Sequence, residues 1–227
     1  MRTVVFDIGN VLLRWDPRNL YRKIFPEESQ MEWFLAHVCD GSWNEEQDRG
    51  RTWDEAILER CARYPDWQHH IRAYDERWLE MLGGEIPENV QVLSRLKQAG
   101  ERTYAITNFS REKFALARLH YDFFDLFDGI VVSGEEGLLK PDLRIFQRFL
   151  ARYDLNAQEC IFIDDNSNNV AAACSLGMAG IHYQEPLDLV HALAQRGVMI
   201  ETTQRSPANF SSPTAYRAVQ KIDESIE

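Results

Sequence analysis

The 227-residue chain has no apolar run approaching the roughly 20 residues that a membrane-spanning helix needs. It also lacks the signatures of several large enzyme classes. There is no Gly-rich dinucleotide turn, no Walker phosphate loop, no His-Glu-x-x-His zinc helix and no Cys-x-x-Cys pair. Internal repeats are absent too. Positive charge is scarce: 25 Lys and Arg against 36 Asp and Glu give a net charge of −11. Such a chain is repelled by nucleic acid and by anionic membranes, so neither is an expected partner. A phosphorylated ligand would have to be held by local groups rather than drawn in by the overall field. The four cysteines, at 39, 61, 160 and 174, show no close pairing. Cys160 and Cys174 fall in segments that read as buried, and reduced structural thiols are expected. The first residues read directly as a strand rather than a leader, so the expected location is the cytoplasm. Oligomeric state is left open.

What the chain does contain is a series of short apolar runs that each end in chemistry. Thr3-Val4-Val5-Phe6 is β-branched and aromatic, as in a strand buried on both faces, and it delivers Asp7 onto the turn Ile8-Gly9-Asn10. Gly9 admits backbone conformations closed to other residues and a close ligand approach, while Asn10 tolerates a left-handed turn. A second run, Arg102 to Ile106, ends in Thr107-Asn108-Phe109-Ser110 ahead of a helical pattern at Phe114, Ala117 and Leu119. Free amides and a hydroxyl at that junction suit an anion. A third, Gly129 to Ser133, leads through a glycine-containing loop to Lys140-Pro141-Asp142 and an amphipathic segment with Leu143, Phe146, Phe149 and Leu150. Proline just inside the helix start would give Lys140 a defined direction. The fourth, Cys160 to Ile163, ends in Asp164-Asp165-Asn166, followed by Asn168-Asn169 and the small-residue helix pattern Val170 to Leu176. Two adjacent acids at a strand end are costly unless a cation is present.

The order Asp, Thr-Asn, Lys, Asp-Asp at the ends of four strands resembles the haloacid dehalogenase superfamily of phosphatases and dehalogenases. The likeness spans roughly residues 1 to 197. Within it, the segments 7–11, 137–141 and 162–166 are most similar to the branch containing bacterial glucose-1-phosphate phosphatase. The resemblance implies an α/β fold with a Rossmann-like three-layer core, a parallel sheet and a small helical cap domain. It also implies Mg²⁺-dependent hydrolysis of a small phosphomonoester through an aspartyl-phosphate, with a sugar phosphate favoured. By motif, Asp7 would attack phosphorus, Thr107 and Asn108 would bind the phosphoryl oxygens, and Lys140 would balance charge between Asp7 and the phosphate. Asp7, Asp165 and the Gly9 carbonyl would hold Mg²⁺. Asp164, and Asn169 beside it, would act one step out, joining the metal's outer shell or orienting Lys140. An anionic nucleophile approaching an anionic phosphate needs such cations to offset repulsion.

One position departs from the pattern. Most phosphatases of this superfamily place a second Asp two residues after the nucleophile, as general acid for the leaving group and then base for water; here Gly9 stands there. General acid–base help is typically worth about 10²–10⁴-fold, so its loss predicts slow hydrolysis or leaving groups that need little protonation. Asp16 is a substitute acid or, more simply, the N-cap before Pro17. Two alternatives follow: a metal-independent 2-haloacid dehalogenase using the same Asp, and a catalytically weak binding or regulatory protein. Dehalogenases of the superfamily carry uncharged serines where Asp164 and Asp165 stand, and the acidic pair favours phosphate chemistry.

All six tryptophans lie between Trp15 and Trp78. With helical spacing at Met31-Phe34-Leu35-Val38 and Trp53-Ile57-Leu58, this stretch reads as a helical cap, residues 15–86, inserted into a core of 1–14 and 87–200. Trp43 and Asp48-Arg49-Gly50-Arg51-Thr52 either line the pocket or form cap core and a solvated turn before a helix capped by Thr52. Arg14, close after the nucleophile turn, is a better candidate for touching substrate. His69-His70 have no partner at metal spacing and read as solvated surface. Residues 201–227, broken by Ser-Pro pairs before a possible short helix at 214–222, read as a loosely packed tail.

Overall fold

The computed structural model describes residues 2–200, so the expected tail lies outside the described residues. Strand β1 (Thr3–Phe6) is buried at all four positions, as its composition requires. A tight turn leads to β2 (Leu13–Trp15). The chain then runs through α1 (Arg18–Tyr21), α2 (Glu28–His37), α3 (Gly41–Asp48), α4 (Trp53–Arg63) and α5 (Gln68–Glu76) before returning in β3 (Leu82–Glu85). Strands β2 and β3 pair antiparallel, so the helical excursion leaves and re-enters through one two-stranded ribbon. The remainder alternates: α6 (Pro87–Gln98), β4 (Arg102–Thr107), α7 (Arg111–Arg118), β5 (Gly129–Val132), α8 (Ser133–Glu136), α9 (Leu143–Arg152), β6 (Cys160–Asp164), α10 (Ser167–Ser175), β7 (Ala179–His182) and α11 (Leu189–Ala194).

The five long-range strands form one parallel sheet in the order β5-β4-β1-β6-β7. Two strands are added on one side of β1 and two on the other, so the winding reverses at the middle of the sheet. That reversal opens a crevice at the strands' carboxyl ends, where open α/β sheets bind ligands. Register sets what lines it. Phe6 lies opposite Ala105 on one side and Ile163 on the other, so the next residue, Asp7, stands level with Asp164.

Alternation along β1 divides the core. Val5 joins Tyr104, Ile106, Phe146, Phe149 and Phe162 on one face, under α9 and α10. Val4 and Phe6 join Ala105, Ile161 and Ile163 on the other, with Leu93 of α6 and Leu193 of α11. The fold is thus the expected α/β Rossmann-like core with a parallel sheet and helices on both faces. The second cluster continues without a break into the helical excursion, through Tyr21, Phe34, Trp43, Trp53, Tyr74 and Trp78. There Trp43 meets Tyr74 edge to face at 5.2 Å and Trp53 stacks on Tyr74 at 5.6 Å. Rings in such arrangements contribute beyond their buried area.

Several local expectations need correction. The buried stripe of α4 is Trp53, Ala56, Ile57, Arg60 and Cys61, one residue off Leu58, which is 73% exposed. Leu119 lies past the last turn of α7 and is also exposed. Cys174 is exposed because α10 turns Asn169 and Ala173 inward, whereas Cys39, Cys61 and Cys160 are buried free thiols. Pro141 lies before α9 rather than inside it: Asp142 is the N-cap, its carboxylate accepting from the Arg144 amide at 2.9 Å. Thr52 does cap α4, accepting from Glu55 N–H.

The loop after β4 sits directly on a bare α-carbon. A Cβ at Gly134 would lie 2.6 Å from the Arg111 amide nitrogen and 2.8 Å from the Phe109 carbonyl oxygen, and neither backbone atom can turn aside. Gly134→Ala is therefore expected to cost about 1–3 kcal/mol, the usual range for overpacking. Urea unfolding measures it, and an unchanged midpoint would refute this reading of the contact.

Candidate active site

Asp7 ends β1, where its amide donates to Ile163 O and its Oδ1 accepts from the Ile8 amide, both at 2.7 Å. The turn that follows is closed by Leu12 and Leu13 amides on Ile8 O and by Asn10 N–H on Leu13 O. Asn10, at φ 54°, is the left-handed residue, and its side chain accepts from Trp15 N–H. Gly9 does not have a positive φ, and a Cβ built on it would meet nothing within 4 Å. The backbone thus does not require glycine there. What glycine changes is the absence of a side chain beside Asp7.

Lys140 is fully enclosed, its Nζ 2.8 Å from Asp7 Oδ1 and 2.6 Å from Asp164 Oδ2. Its direction comes from Asn108, whose carboxamide clasps the Lys140 backbone at both ends: Nδ2 donates to the carbonyl at 3.0 Å and Oδ1 accepts from the amide at 2.8 Å. The Asn108 side chain is thus committed to the lysine, which leaves its backbone as the part of Asn108 that could meet a ligand. Asp164, fully buried, also accepts from Asn166 N–H and from Asn169 Nδ2. Asp164 thus touches Lys140 directly while its carboxylate also lies in the acidic cluster with Asp7 and Asp165.

Burial alone would lower the lysine's pKa, but the charges and hydrogen bonds of Asp164 and Asp7 outweigh it and hold the ammonium above its ordinary range. Burial pushes the Asp7 carboxyl up, against the pull of Lys140. Asp165 is also raised, by burial and then by Asp164. Carboxylate oxygens of Asp7, Asp164 and Asp165 all lie within 4.8 Å of one another. Three acids against one ammonium leave excess negative charge in a poorly solvated place, and oxygen donors of this kind fit a hard divalent cation. The buried Thr107 Oγ1 and Asn169 Oδ1 have no partner among the described residues, which fits an oxygen-rich anion and a hydrated cation beside them.

Of these residues, Asp7, Asn108, Lys140, Asp165 and Asn169 line one end of a cavity of about 240 Å³. Its other walls are Leu13, Trp15, Trp53, Trp78, Leu82 and Phe109. The polar side chains in that half are already engaged. Ser110 Oγ accepts from Trp53 Nε1 at 2.9 Å, and Lys113 is ion-paired with Asp75. Asn44 donates to Asp48 at 3.0 Å and accepts from Tyr74 OH.

Other candidates fall elsewhere. Asp16 and Arg14 line a neighbouring cleft. Asp16 Oδ1 accepts from the Arg18 amide, but the N-cap of α1 is Pro17 rather than Asp16, and Arg14 pairs with Glu185 at 2.8 Å. Trp43 is buried in the aromatic cluster, and Arg51 is held by Gln47 and Glu59, so Asp48 is what the 48–52 segment brings to the cavity. His70 is half-buried and stacks on Phe25 rather than facing the acids. Trp15, Trp78, Leu82 and Lys113 are wall residues that spacing did not reveal; the concentration of tryptophan was the available signal.

A family model described as a hydrolase, haloacid dehalogenase-like hydrolase, matches residues 1–177. Among curated proteins, the sesquiterpene phosphatase astK of Aspergillus oryzae is 30% identical over 196 residues, covering 86% of this chain and 95% of that protein. Glyceraldehyde 3-phosphate phosphatase of Pyrococcus abyssi is 29% identical over 101 residues, 44% of this chain and 42% of that one. The solved structure of HAD family enzyme bt-2542 from Bacteroides thetaiotaomicron, in complex with magnesium and inorganic phosphate, shares the fold. Its TM-score is 0.66 at 20% identity, over 85% of this chain and 98% of that one.

Because a Cβ at Gly9 meets open space, Gly9→Ala is expected to change stability by less than about 0.5 kcal/mol. Chemical denaturation checks this, and a loss well above that value would mean the glycine is conformationally required.

Proposed function

The chain belongs to the haloacid dehalogenase-like hydrolase family, and on that premise we propose that it is a Mg²⁺-dependent phosphatase working through an aspartyl-phosphate on Asp7. The observation that carries the reading is the buried Asp7–Lys140–Asp164 array with Asp165 beside it. Asp7, Asp165 and the Gly9 carbonyl would hold the cation. When bound, Mg²⁺ supplies charge neutralisation and Lewis acidity at a phosphoryl oxygen. The residues do the rest. Asp7 Oδ attacks phosphorus, Lys140 offsets the repulsion between carboxylate and phosphate, and Thr107 Oγ1 with the Asn108 amide receives the phosphoryl oxygens. A metal-independent dehalogenation would leave the acidic cluster uncompensated, which weighs against that alternative.

The helical segment 15–86 acts in this reading as a cap that closes the apolar walls over the leaving group and excludes water. Those walls favour a largely hydrocarbon alcohol over a sugar. A sugar's hydroxyls call for several convergent donors and acceptors, whereas the polar side chains here are spent on one another. The resemblance to a sesquiterpene phosphatase supports the same choice. No helix among the described residues is long and apolar enough to cross a membrane. The proposal places the enzyme in the cytoplasm, with a small phosphorylated metabolite as its partner.

A phosphate-release screen over apolar, sugar and nucleotide phosphates, run with Mg²⁺ and with chelator, tests the whole. Apolar phosphates are expected to have the highest kcat/KM, with activity lost on chelation. Halide release from 2-haloacids without metal would overturn it. Asp7→Asn should abolish turnover while leaving the fold intact. Asp165→Asn should weaken Mg²⁺ binding by calorimetry and lower activity in a way partly restored by excess Mg²⁺. Full activity in either variant would remove that residue from its role.

A further inference from the structure

The phosphatase reading leaves one proton unaccounted for, since Gly9 offers no acid to the departing alcohol. The titratable side chains lining the cavity are Asp7, Asp48, Lys113, Lys140 and Asp165. Four are committed. Asp7 is the nucleophile and Asp165 the cation ligand in that reading, Lys140 is locked between two carboxylates, and Lys113 is ion-paired with Asp75 while lying over the Trp53 ring. Asp48 is the remainder.

Its setting suits a proton carrier. Asp48 ends α3, and its carbonyl accepts from Ser133 Oγ at 2.5 Å, so the core fixes its position. Its carboxylate accepts from Asn44 Nδ2 at 3.0 Å and from the Ser110 amide, and no salt bridge to it is formed among the described residues. Burial pushes the carboxyl up to about 7, against the Ser110 hydrogen bond and with a smaller push from Glu45 on its own helix. The other charged groups facing this corner are Lys113 of α7 and Asp75 of α5, which neutralise each other. The neutral Tyr74 hydroxyl donates to Asn44, and burial raises its pKa with help from the nearby Asp48 charge. A carboxyl divided between its two protonation states near neutral pH is matched to general acid–base work.

We propose, on the phosphatase reading, that Asp48 is the general acid–base of this site, supplied from the cap in place of a side chain at residue 9. As Asp7 Oδ bonds to phosphorus and the ester P–O bond breaks, the Asp48 proton passes to the leaving oxygen and frees the alcohol. The Asp48 carboxylate then takes a proton from water as that water attacks phosphorus. The P–O bond to Asp7 breaks, and inorganic phosphate, the Asp7 carboxylate and a protonated Asp48 result. Chemistry on poor leaving groups thereby depends on the cap being seated.

The test compares two substrates in single turnover with Mg²⁺. p-Nitrophenyl phosphate releases a leaving group that needs no proton; a saturated alkyl phosphate does not. Asp48→Asn is expected to keep the p-nitrophenol burst within about threefold while alkyl ester cleavage falls by about 10²–10⁴-fold. The retained burst itself reports an intact site. Should Asn prove unstable there, Asp48→Ser, which keeps a hydrogen-bonding hydroxyl, is expected to give the same split. An undiminished alkyl rate overturns the proposal, as does an equal fall on both substrates in both variants, which marks a structural role. If wild-type protein shows neither burst nor phosphate release, the phosphatase reading fails first, and the assignment of Asp48 goes with it.

Discussion

The site is organised around one ammonium ion held in a place with almost no water. Lys140 Nζ bridges Asp7 and Asp164 at hydrogen-bonding distance. Removing the lysine leaves two buried carboxylates uncompensated, and breaking a buried pair in that way typically costs about 3–5 kcal/mol, whereas loss of one acid leaves the ammonium paired with the other. Such an array requires the backbone to be right before the charges are. Strand β1 brings Asp7, β6 brings Asp164, and the loop after β4 brings Asn108, which pins the lysine's own peptide groups. Gly134 lets that loop approach. The ion pair does not create the sheet order; the sheet order makes the ion pair affordable.

The two ends of the cavity divide the work. The acidic end, where Asp7, Lys140 and Asp165 meet, is suited in the proposed reading to charge that develops during reaction, and interactions of that kind raise the rate. The tryptophan walls would, on the proposed function, contribute binding that is the same before and during reaction. A ligand's hydrocarbon part would therefore govern which molecule stays, and its phosphate which molecule reacts.

The strands that matter most were legible because they are unbroken β-branched, aromatic and aliphatic runs: Thr3–Phe6, Arg102–Thr107 and Cys160–Asp164 each lead into charged or hydroxyl residues. β2, β3 and β7 were not legible. They have three or four residues each, and Gly83, Gly84 and Gly180 carry no side chain to show alternation. The motif pattern pointed to Asn108, but not to the use of its side chain on a peptide unit 32 residues later. Gly9 looked like a conformational necessity, and the left-handed residue is its neighbour Asn10. Asp48 could not be separated from the charged turn around it, since its distinguishing property is burial against Ser110, a contact between distant parts of the chain.

The helical segment and one face of the sheet share a single unbroken hydrophobic cluster, from Phe6 and Ile163 out to Phe34 and Trp43. Such continuity makes the helical segment a thermodynamic dependant of the sheet rather than an appendage. A substitution that reshapes the tryptophan walls draws on the same reserve of stability that keeps β1 folded. The evolutionary freedom to change substrate is bounded accordingly, and new specificities are most accessible to chains that first carry stability to spare.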